Sequence, residues 1–416
     1  MKKVLIVDDS KTILTLIKKE LSKDEEIDPY YAEDYKGAMR LIREHQGAFY
    51  AALLDLNLPD APNGEVVKLA NAHNIPAVIL SATIDENLKQ NIMKKDVVDF
   101  ILKNDPSSIK FAIKSIKRSL KNYDTTILVV DDSKTYRHTL KDSLSKINLT
   151  VLEAQNGVEA LEVLAQNPSI NLVITDYEMP EMDGLTLTFK IREDYKKDQL
   201  AIIAISSVDE QETISKFLRF GANDFINKPF SHNEIVTRIN TNLELLDLFE
   251  LVKDMANKDY LTGMFNRRYF FASGESIFQK SVRKEKSIAL VMIDIDHFKK
   301  INDLYGHDIG DIAIKEVSKI LNDNLRTSDL IARFGGEEFC ILLEDINPDD
   351  LEILFEKIRV VFEANVIKTD EITFSYTVSI GMFFGLDNSL KEMITYADEA
   401  LYEAKAAGRN QIVLKD

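Results

Sequence analysis

Short apolar runs alternate along the chain with stretches in which apolar residues recur every three or four positions. The runs are typical of buried strands, and the recurring spacing is typical of helices that bury one face. Between residues 127 and 226, the apolar runs predict strands at 127–130, 151–153, 172–175, 201–205 and 224–226. Strands that alternate with helices predict a doubly wound parallel sheet with helices on both faces.

An octapeptide near the N-terminus occurs again further along the chain. Residues 5–12 read LIVDDSKT, and residues 128–135 read LVVDDSKT. A near-identical segment at this distance indicates a duplicated domain. Both halves of the duplication continue with the same alternation of strands and helices, so we expect two copies of one α/β fold.

The stretch from residue 235 to residue 255 contains no proline or glycine and is predicted to form one long helix. Two apolar stripes with helical spacing follow one another along it: Val236, Ile239, Leu243 and Leu246, then Leu245, Leu248, Val252 and Met255. The first stripe is expected to pack on the preceding domain. The second stripe could pair with its copy in a dimer, or it could pack against the chain's own domains.

The last part of the chain has a different pattern. A continuous apolar run at 287–293 predicts a buried strand that leads directly into Asp294. Two further apolar runs flank Gly335 and Gly336 and predict a β-hairpin, because glycine readily adopts the positive φ of tight turns. Glu337 and Glu338 stand at its tip. Together with Asp294 they offer a carboxylate set that suits a divalent metal carrying phosphates.

Composition limits the class of protein. With 416 residues, the chain is expected to hold about three domains. A hydrophobic share of 45% and a charged share of 29% are typical of a soluble globular protein. The net charge of −17 argues against binding to nucleic acid, which needs a basic face. The single cysteine, Cys340, cannot form an internal disulfide and is expected in the core.

The first residues resemble a signal peptide only briefly. Asp8 and Asp9 end the apolar run that follows the two N-terminal lysines, which leaves it too short for a signal sequence. No later run approaches the roughly 18 apolar residues of a membrane span. We therefore expect a cytoplasmic protein.

Polar residues stand where strands of the second copy end. Parallel strands of this fold present their carboxyl ends at one edge of the sheet, where ligands bind. The residues there are Asp131, Asp132, Asp176, Ser206 and Lys228. They suit a magnesium site at which an aspartate is phosphorylated: the acidic pair holds the metal, Asp176 is the nucleophile, and Ser206 and Lys228 contact phosphoryl oxygens. In this order they resemble the receiver domain of two-component response regulators.

The first copy has a matching set, with some departures. Its residues are Asp8, Asp9, Asp55, Ser81 and Lys103. The interval from the predicted nucleophile to the serine is shorter than in the second copy, and Asn104 stands where Pro229 follows Lys228. We therefore predict Asp176 as the main phosphorylation site and Asp55 as a second one. Phe225 and Phe100 stand where receivers often carry a coupling aromatic residue, but core packing explains them equally well.

The segment from Asp259 onwards resembles a GGDEF diguanylate cyclase domain in its GGEEF form. Its motifs are 259–268 (DYLTGMFNRR), 302–303 (ND), 306–311 (GHDIGD), 333–339 (RFGGEEF), 379–381 (SIG) and 400–410 (ALYEAKAAGRN). The resemblance implies two flavodoxin-like doubly wound receivers followed by an α/β, palm-like cyclase domain. We expect receivers at 1–122 and 124–243, a linker helix at 244–258 and the cyclase at 259–416.

The resemblance also implies the reaction and its residues. Two GTP would condense to cyclic di-GMP and two pyrophosphates, with Mg²⁺ as cofactor and Mn²⁺ as an alternative. The implied metal ligands are Asp294, the Ile295 carbonyl and Glu337, with Glu338 near the second metal or the attacking hydroxyl. The implied substrate contacts are Asn302 and Asp311 to guanine, Phe298 and His307 nearby, and Lys299, Lys405 and Arg409 to phosphates. The spacing of Lys405 and Arg409 predicts that both lie on one helical face.

Further expectations concern control of the enzyme. Each domain of this family holds one GTP, so a homodimer is required, and phosphorylation by a cognate histidine kinase or phosphotransfer protein is expected to promote it. Arg326 and Asp329 match the inhibitory product site of the family, although an ordinary surface ion pair is the alternative.

Three other classes of function fit the sequence less well. A receptor that only binds cyclic di-GMP would need a damaged active site, and no motif residue is missing. The tripeptide Glu-Ala-Leu at 159–161 and 399–401 could suggest a phosphodiesterase, but both copies fall in helices of domains already assigned. No basic recognition helix follows the receivers, which argues against a DNA-binding regulator.

Overall fold

The computed structural model describes residues 1–22, 24–82, 97–105, 107–207, 211–369 and 372–415, without the side chains of Gln211 and Asn233. The chain divides into two compact units, Met1–Phe249 and Glu250–Asp416. The first unit contains both copies of the duplicated fold. Among the described helices, none is long and apolar enough to cross a membrane.

The first copy is a parallel sheet of five strands in the order β2-β1-β3-β4-β5. The strands are β1 (Lys2–Val7), β2 (Ile27–Ala32), β3 (Ala51–Leu54), β4 (Ala77–Ser81) and β5 (Asp99–Leu102). The described helices are α1 (Lys11–Leu21), α2 (Tyr35–Glu44), α3 (Glu65–Ala72) and α4 (Ser107–Asn122). The predicted doubly wound α/β fold is confirmed.

The second copy repeats this sheet in the order β10-β9-β8-β6-β7. Its strands are β6 (Thr126–Val130), β7 (Thr150–Ala154), β8 (Ile170–Asp176), β9 (Ala201–Ser206) and β10 (Asp224–Asn227), so each predicted strand is present. Its helices are α5 (Lys134–Ser145), α6 (Gly157–Gln166), α7 (Gly184–Asp194), α8 (Gln211–Phe220) and α9 (His232–Asn257).

The repeated octapeptide has a structural cause in each copy. After the first strand, a serine caps the following helix: the hydroxyl oxygen of Ser10 accepts from the Ile13 amide, and that of Ser133 accepts from the Tyr136 amide. The first aspartate of each acidic pair accepts from the amide of the serine: Asp8 accepts from Ser10 at 3.0 Å, and Asp131 accepts from Ser133 at 2.8 Å. The motif therefore fixes the turn that places the acidic pair at the edge of the sheet.

Helix α4 of the first copy packs on α9, the last helix of the second. Their apolar faces belong to one continuous core. Arg118 is 7% exposed, and its Nη1 donates to Asp247 at 2.9 Å, while Lys114 pairs with Glu244 at 2.7 Å. A buried guanidinium needs partners of this kind. The two copies thus share both apolar and charged contacts within the unit.

Helix α9 is one continuous element, so the linker predicted at 244–258 is the second half of this helix. In its first stripe, Val236, Ile239 and Leu243 are at most 4% exposed, and Leu246 is half-buried against the same core. The second stripe is exposed by 46% at Leu245 and 76% at Met255. The structure therefore places the first stripe in the core and leaves the second at the surface of the described chain.

The second unit is built on a six-stranded, mainly antiparallel sheet in the order β11-β13-β14-β12-β17-β18. Its strands are β11 (Phe265–Asn266), β12 (Ile288–Ile295), β13 (Leu330–Gly335), β14 (Glu338–Leu343), β17 (Val378–Gly385) and β18 (Ile412–Lys415), and β15 (Val366–Lys368) pairs with β16 (Thr373–Ser375) apart from it. Its helices are α10 (Arg267–Lys284), α11 (Phe298–Tyr305), α12 (His307–Asn324), α13 (Pro348–Ala364) and α14 (Leu390–Ala406).

Strand β12 lies between β14 and β17 and is buried throughout. It extends two residues beyond the predicted strand, so Asp294 lies within it rather than after it. β13 and β14 form the predicted hairpin, with φ of +147° at Gly335 and +53° at Gly336. Cys340 on β14 is fully buried, as expected, and burial raises the pKa of its thiol.

Candidate active site

Asp294 is the buried carboxylate of the second unit. It is 6% exposed, and its Oδ2 pairs with Nζ of Lys405 at 2.8 Å. Burial raises its pKa to about 6, which the lysine opposes and the charges of Glu337 and Glu338 reinforce. In the β12–β14 register, Asp294 lies opposite Glu338, so both side chains stand on the same face of the sheet. The structure thus brings together the three predicted carboxylates.

The tip of the hairpin is held by an arginine that sequence reasoning left without a role. Arg333 donates from Nε and Nη2 to the carbonyl of Gly336, at 3.0 and 2.8 Å. Its Nη1 donates to Asp259 at 2.9 Å. Burial raises the pKa of Asp259, but the hydrogen bonds and charge of Arg333 and the hydrogen bonds from Thr262 together outweigh burial, so this pKa is lowered. A fork of this kind fixes the orientation of the turn. The sequence offered one signal for this contact: Arg333 and Asp259 carry opposite charges, and each lies in one of the cyclase motifs at 333–339 and 259–268.

The predicted guanine contacts lie on two consecutive helices. Asn302 is on α11, and its buried Oδ1 has no hydrogen-bond partner among the residues that the structure describes. A Cβ placed at Gly310 would lie 2.0 Å from this oxygen, so the glycine leaves room for it. Asp311 follows on α12, and His307 is exposed at the start of that helix. A buried, unsatisfied acceptor is costly and points to a ligand that donates to it.

The predicted phosphate contacts do not share one helical face. Lys405 lies in the last turn of α14, but that helix ends at Ala406, and Arg409 follows it with a φ of +68°. The prediction was wrong because Gly408, at +122°, ends the helix before the spacing rule can apply. Lys299 is exposed on α11, beside the half-buried Phe298.

The predicted product site is a tight turn before β13. The amide of Arg326 donates to Oδ2 of Asp329 at 2.9 Å, and the Asp329 amide donates to the Arg326 carbonyl at 3.0 Å. The Arg326 side chain is exposed. The turn presents the guanidinium to solvent while the carboxylate holds the backbone.

The receiver sites are compact. In each copy, oxygens of the three predicted carboxylates lie within 4.8 Å of one another. They are Asp8, Asp9 and Asp55 in the first copy and Asp131, Asp132 and Asp176 in the second. Within the described residues, the carboxylates of the second unit form no group this tight.

The predicted lysine of each receiver reaches its carboxylates. Lys103 pairs with Asp8 at 2.7 Å and with Asp55 at 2.6 Å, and Lys228 pairs with Asp131 and Asp176 at 3.0 Å each. Burial raises the pKa of Asp176 more than Lys228 lowers it. The pKa of Lys228 is also raised, because its two carboxylate partners outweigh its burial.

The remaining receiver residues lie where the sequence predicts. Ser81 and Ser206 are buried at the ends of β4 and β9. Phe225 is 9% exposed and packs on Phe217, with ring centroids 5.9 Å apart. Phe100 is half-buried. Phe225 therefore packs in the core of the second receiver, as the core-packing alternative for this residue predicts.

The donor sets fit magnesium. Mg²⁺ binds a few carboxylates and completes its shell with water and phosphate oxygens. In the second unit, the Lys405 ammonium stands beside Asp294, which shows that the field there favours a cation. Asp294, the Ile295 carbonyl and Glu337 are the residues that would hold the metal. In the receivers, the three carboxylates of each cluster form an equivalent acidic set.

Comparison with known proteins assigns the domains. A model of the response regulator receiver domain matches residues 4–114 and 127–240. A model of the diguanylate cyclase GGDEF domain matches residues 256–411. The receiver matches alone cover more than half of the chain.

Individual relatives and solved structures match parts of the chain. Response regulator PleD of Caulobacter vibrioides is 30% identical over 300 residues, which are 70% of this chain and 65% of PleD, so less than two thirds of that relative is matched. Diguanylate cyclase A of Treponema denticola is 38% identical over 167 residues, 39% of this chain and 45% of that protein. A solved response regulator/GGDEF domain protein is 40% identical with a TM-score of 0.54 and covers 59% of this chain and 100% of its own. The chain therefore belongs to the response regulators, with two receiver domains followed by a GGDEF domain.

Proposed function

We propose that this chain is a diguanylate cyclase that condenses two GTP into cyclic di-GMP and two pyrophosphates. The observation that carries the proposal is the buried Asp294, which lies opposite Glu338 in the sheet and is paired with Lys405. Mg²⁺ held there would neutralise phosphate charge during nucleotidyl transfer. The names of relatives that the chain resembles support the same activity.

The chain's own residues would bind and orient GTP. The unsatisfied amide oxygen of Asn302 and the carboxylate of Asp311 can accept from guanine N–H groups. Lys299, Lys405 and Arg409 supply positive charge for the phosphates. Glu338 is exposed at the start of β14, and we propose that it takes the proton of the attacking hydroxyl.

The reaction needs two GTP-loaded domains that face each other. The 3′-hydroxyl of one GTP attacks the α-phosphorus of the other, pyrophosphate leaves, and the hydroxyl proton is lost. A second attack in the opposite sense closes the ring. One GGDEF domain holds one GTP in this scheme, so a homodimer is part of the proposal.

Phosphorylation of the receivers is proposed to control dimerisation. The support is the grouping of three carboxylates with a lysine and a buried serine in each receiver. The phosphoryl group would come from a cognate histidine kinase or phosphotransfer protein, with Asp176 as the main acceptor and Asp55 as the second. Product bound at Arg326 and Asp329 is proposed to inhibit the enzyme, because an exposed guanidinium can pair with guanine or phosphate.

The experiment that tests the proposal measures cyclic di-GMP formed from Mg-GTP, with and without beryllofluoride as a phosphoryl mimic. We expect product in both conditions and more with the mimic. Glu337→Gln should lower turnover by at least about a hundredfold, since a ligand carboxylate is lost. Glu344→Gln, which removes a solvent-exposed ion pair with Lys280, is the matched control and should retain activity.

Other outcomes would change the proposal in defined ways. Product that does not respond to the mimic would keep the enzyme and remove the proposed control by phosphorylation. No product, together with tight binding of added cyclic di-GMP, would favour a receptor that reads the dinucleotide through Arg326 and Asp329.

A further inference from the structure

The loop that follows α14 has an unusual backbone. Gly408, Arg409 and Asn410 have φ values of +122°, +68° and +48°. Side chains other than glycine rarely adopt this region, and two such residues in succession need surroundings that hold them there. Backbone strain of this kind is often found where a side chain must be presented in a fixed direction.

One holding contact comes from Asp296, two residues after Asp294. Asp296 is 4% exposed, and its Oδ2 accepts from the backbone amide of Asn410 at 3.0 Å. It also accepts from Thr377 Oγ1 at 2.7 Å and from Ser379 Oγ at 2.6 Å. The carboxylate thus joins the end of β12, the start of β17 and the loop after α14. Its burial is compensated by these three donors.

The second holding contact is the side chain of Asn410. Its Oδ1 accepts from Arg359 Nη1 at 2.8 Å, and its Nδ2 donates to Glu363 at 2.9 Å. Both partners lie on α13. The pKa of Arg359 is raised by its hydrogen bonds to Glu356 and Glu363, so its charge is secure. Asparagine also tolerates positive φ better than most residues.

We infer that Asp296 and Asn410 are positioning residues that hold Arg409 where it can contact the phosphates of GTP. The inference rests on the proposed function. Arg409 comes four residues after Lys405, which pairs with Asp294. The Arg409 amide donates to the Ala404 carbonyl at 3.1 Å. A loop fixed on two sides presents the guanidinium without first having to order the backbone, which preserves binding free energy. Neither residue touches the substrate in this scheme.

The test is a double-mutant cycle between Asn410→Gly and Arg409→Ala in the full chain. Glycine keeps the positive φ and removes both side-chain hydrogen bonds. We expect Asn410→Gly to raise the KM for GTP about fivefold to tenfold and to change kcat by less than about twofold. In the Arg409→Ala background, the same substitution should raise KM by less than about twofold, because the side chain that it positions is already absent. Asp296→Asn, which turns one acceptor into a donor, should raise KM in the same way.

Glu399→Gln is the matched control, because it removes an exposed ion pair with Lys415 from the helix that precedes the loop. Its KM should equal that of the wild type. An unchanged KM in Asn410→Gly, or an equal rise in both backgrounds, would overturn the inference, because the loop would then act independently of Arg409.

The same double-mutant cycle can be measured as equilibrium binding of a non-reactive GTP analogue. This measurement separates the proposed cyclase activity from the proposed positioning of Arg409. If the wild type binds the analogue but forms no product, the cyclase proposal is contradicted. The coupling of Asn410 to Arg409 can then still be measured from the Kd values of the variants for the analogue. A wild type that does not bind the analogue would overturn both.

Discussion

Asp294 carries its charge where the folded chain disfavours it. Its pKa rises from 3.8 to about 6, chiefly because the carboxylate is buried. A shift of this size corresponds to as much as about 3 kcal/mol of folding free energy lost when the group is ionised. The sign follows from the direction: with the folded pKa above the unfolded value, this stability is present below about pH 4 and is lost as pH rises through about 6. Function and stability therefore make opposite demands on this residue.

Asp294→Asn should abolish cyclic di-GMP formation and stabilise the metal-free protein. In EDTA at pH 8, we expect its unfolding free energy to exceed that of the wild type by about 1–3 kcal/mol, since the amide carries no charge to bury. The advantage should shrink as pH falls through 6 towards 4. Thermal unfolding across this pH range checks it. Asp345→Asn, at an exposed ion pair with Lys286, is the control, and a loss of stability in Asp294→Asn at pH 8 would contradict the argument.

The two receivers can be distinguished by one substitution in each. Asp176→Asn should remove most of the increase in turnover that beryllofluoride produces, whereas Asp55→Asn should remove less, because the first receiver has the altered spacing after its nucleophile. The measurement is turnover of each variant with and without the mimic. An equal loss in both variants would show that the sites act together, and a larger loss in Asp55→Asn would reverse the assignment.

At the residue scale, the sequence predicts which side chains gather but not which of them pair. The order of aspartates, serine and lysine along the strands is enough to predict both receiver clusters, because strand ends of a parallel sheet meet at one edge. The Lys405–Asp294 pair and the buried Asn302 oxygen depend on packing between helices and the sheet. The role of Asp296 was missed because nothing in its local pattern shows that three distant donors converge on it.

The hairpin is the element on which the second unit's site depends. Its acidic tip is held by Arg333, which joins the Gly336 carbonyl to Asp259. Arg333→Met should lower kcat by about tenfold or more while the chain remains folded, because the tip loses a bidentate contact that fixes Glu337 and Glu338. Kinetics and circular dichroism together check this. Lys280→Met, at an exposed ion pair on α10, should leave kcat unchanged, and unchanged kcat in Arg333→Met would remove the positioning role.

Elements were predicted better than their ends. Apolar runs and glycine pairs identify strands and the hairpin because burial and turn geometry are local properties. The predicted helix that carries Lys405 extended to Arg409, because a four-residue spacing does not indicate where a helix ends. Gly408 was the available signal, since glycine often follows a helix C-terminus. β12 likewise extends past its apolar run because Asp294 continues the pairing with β14 and β17.

At the scale of the whole molecule, the second stripe of α9 is an exposed apolar surface on a long helix. Leu248 and Val252 are 54% and 55% exposed on a helix whose other stripe is buried. A helix with an uncovered apolar seam can associate with its copy. The sequence leaves two alternatives for this stripe, pairing with its copy or packing against the chain's own domains, and a substitution in the stripe distinguishes them.

Leu248→Glu with Val252→Glu should weaken the dimer about tenfold or more and lower turnover in proportion, because charge would be buried at the seam. Light scattering at several concentrations, with beryllofluoride present, measures the association. Glu250→Gln, a polar change on the same helix, is the control. A variant with an unchanged dimer but a lower melting temperature would indicate that the stripe packs within one chain.

The burial of Cys340 has a practical consequence for such work. The chain has one cysteine, which lies inside the central sheet with a raised thiol pKa, so it should react very slowly with maleimides. The folded protein therefore behaves as if it had no thiol. A cysteine introduced at Met255, which is 76% exposed, would be the only site to take a spin label. The separation of labels between two copies could then be followed as beryllofluoride is added, with no other residue replaced.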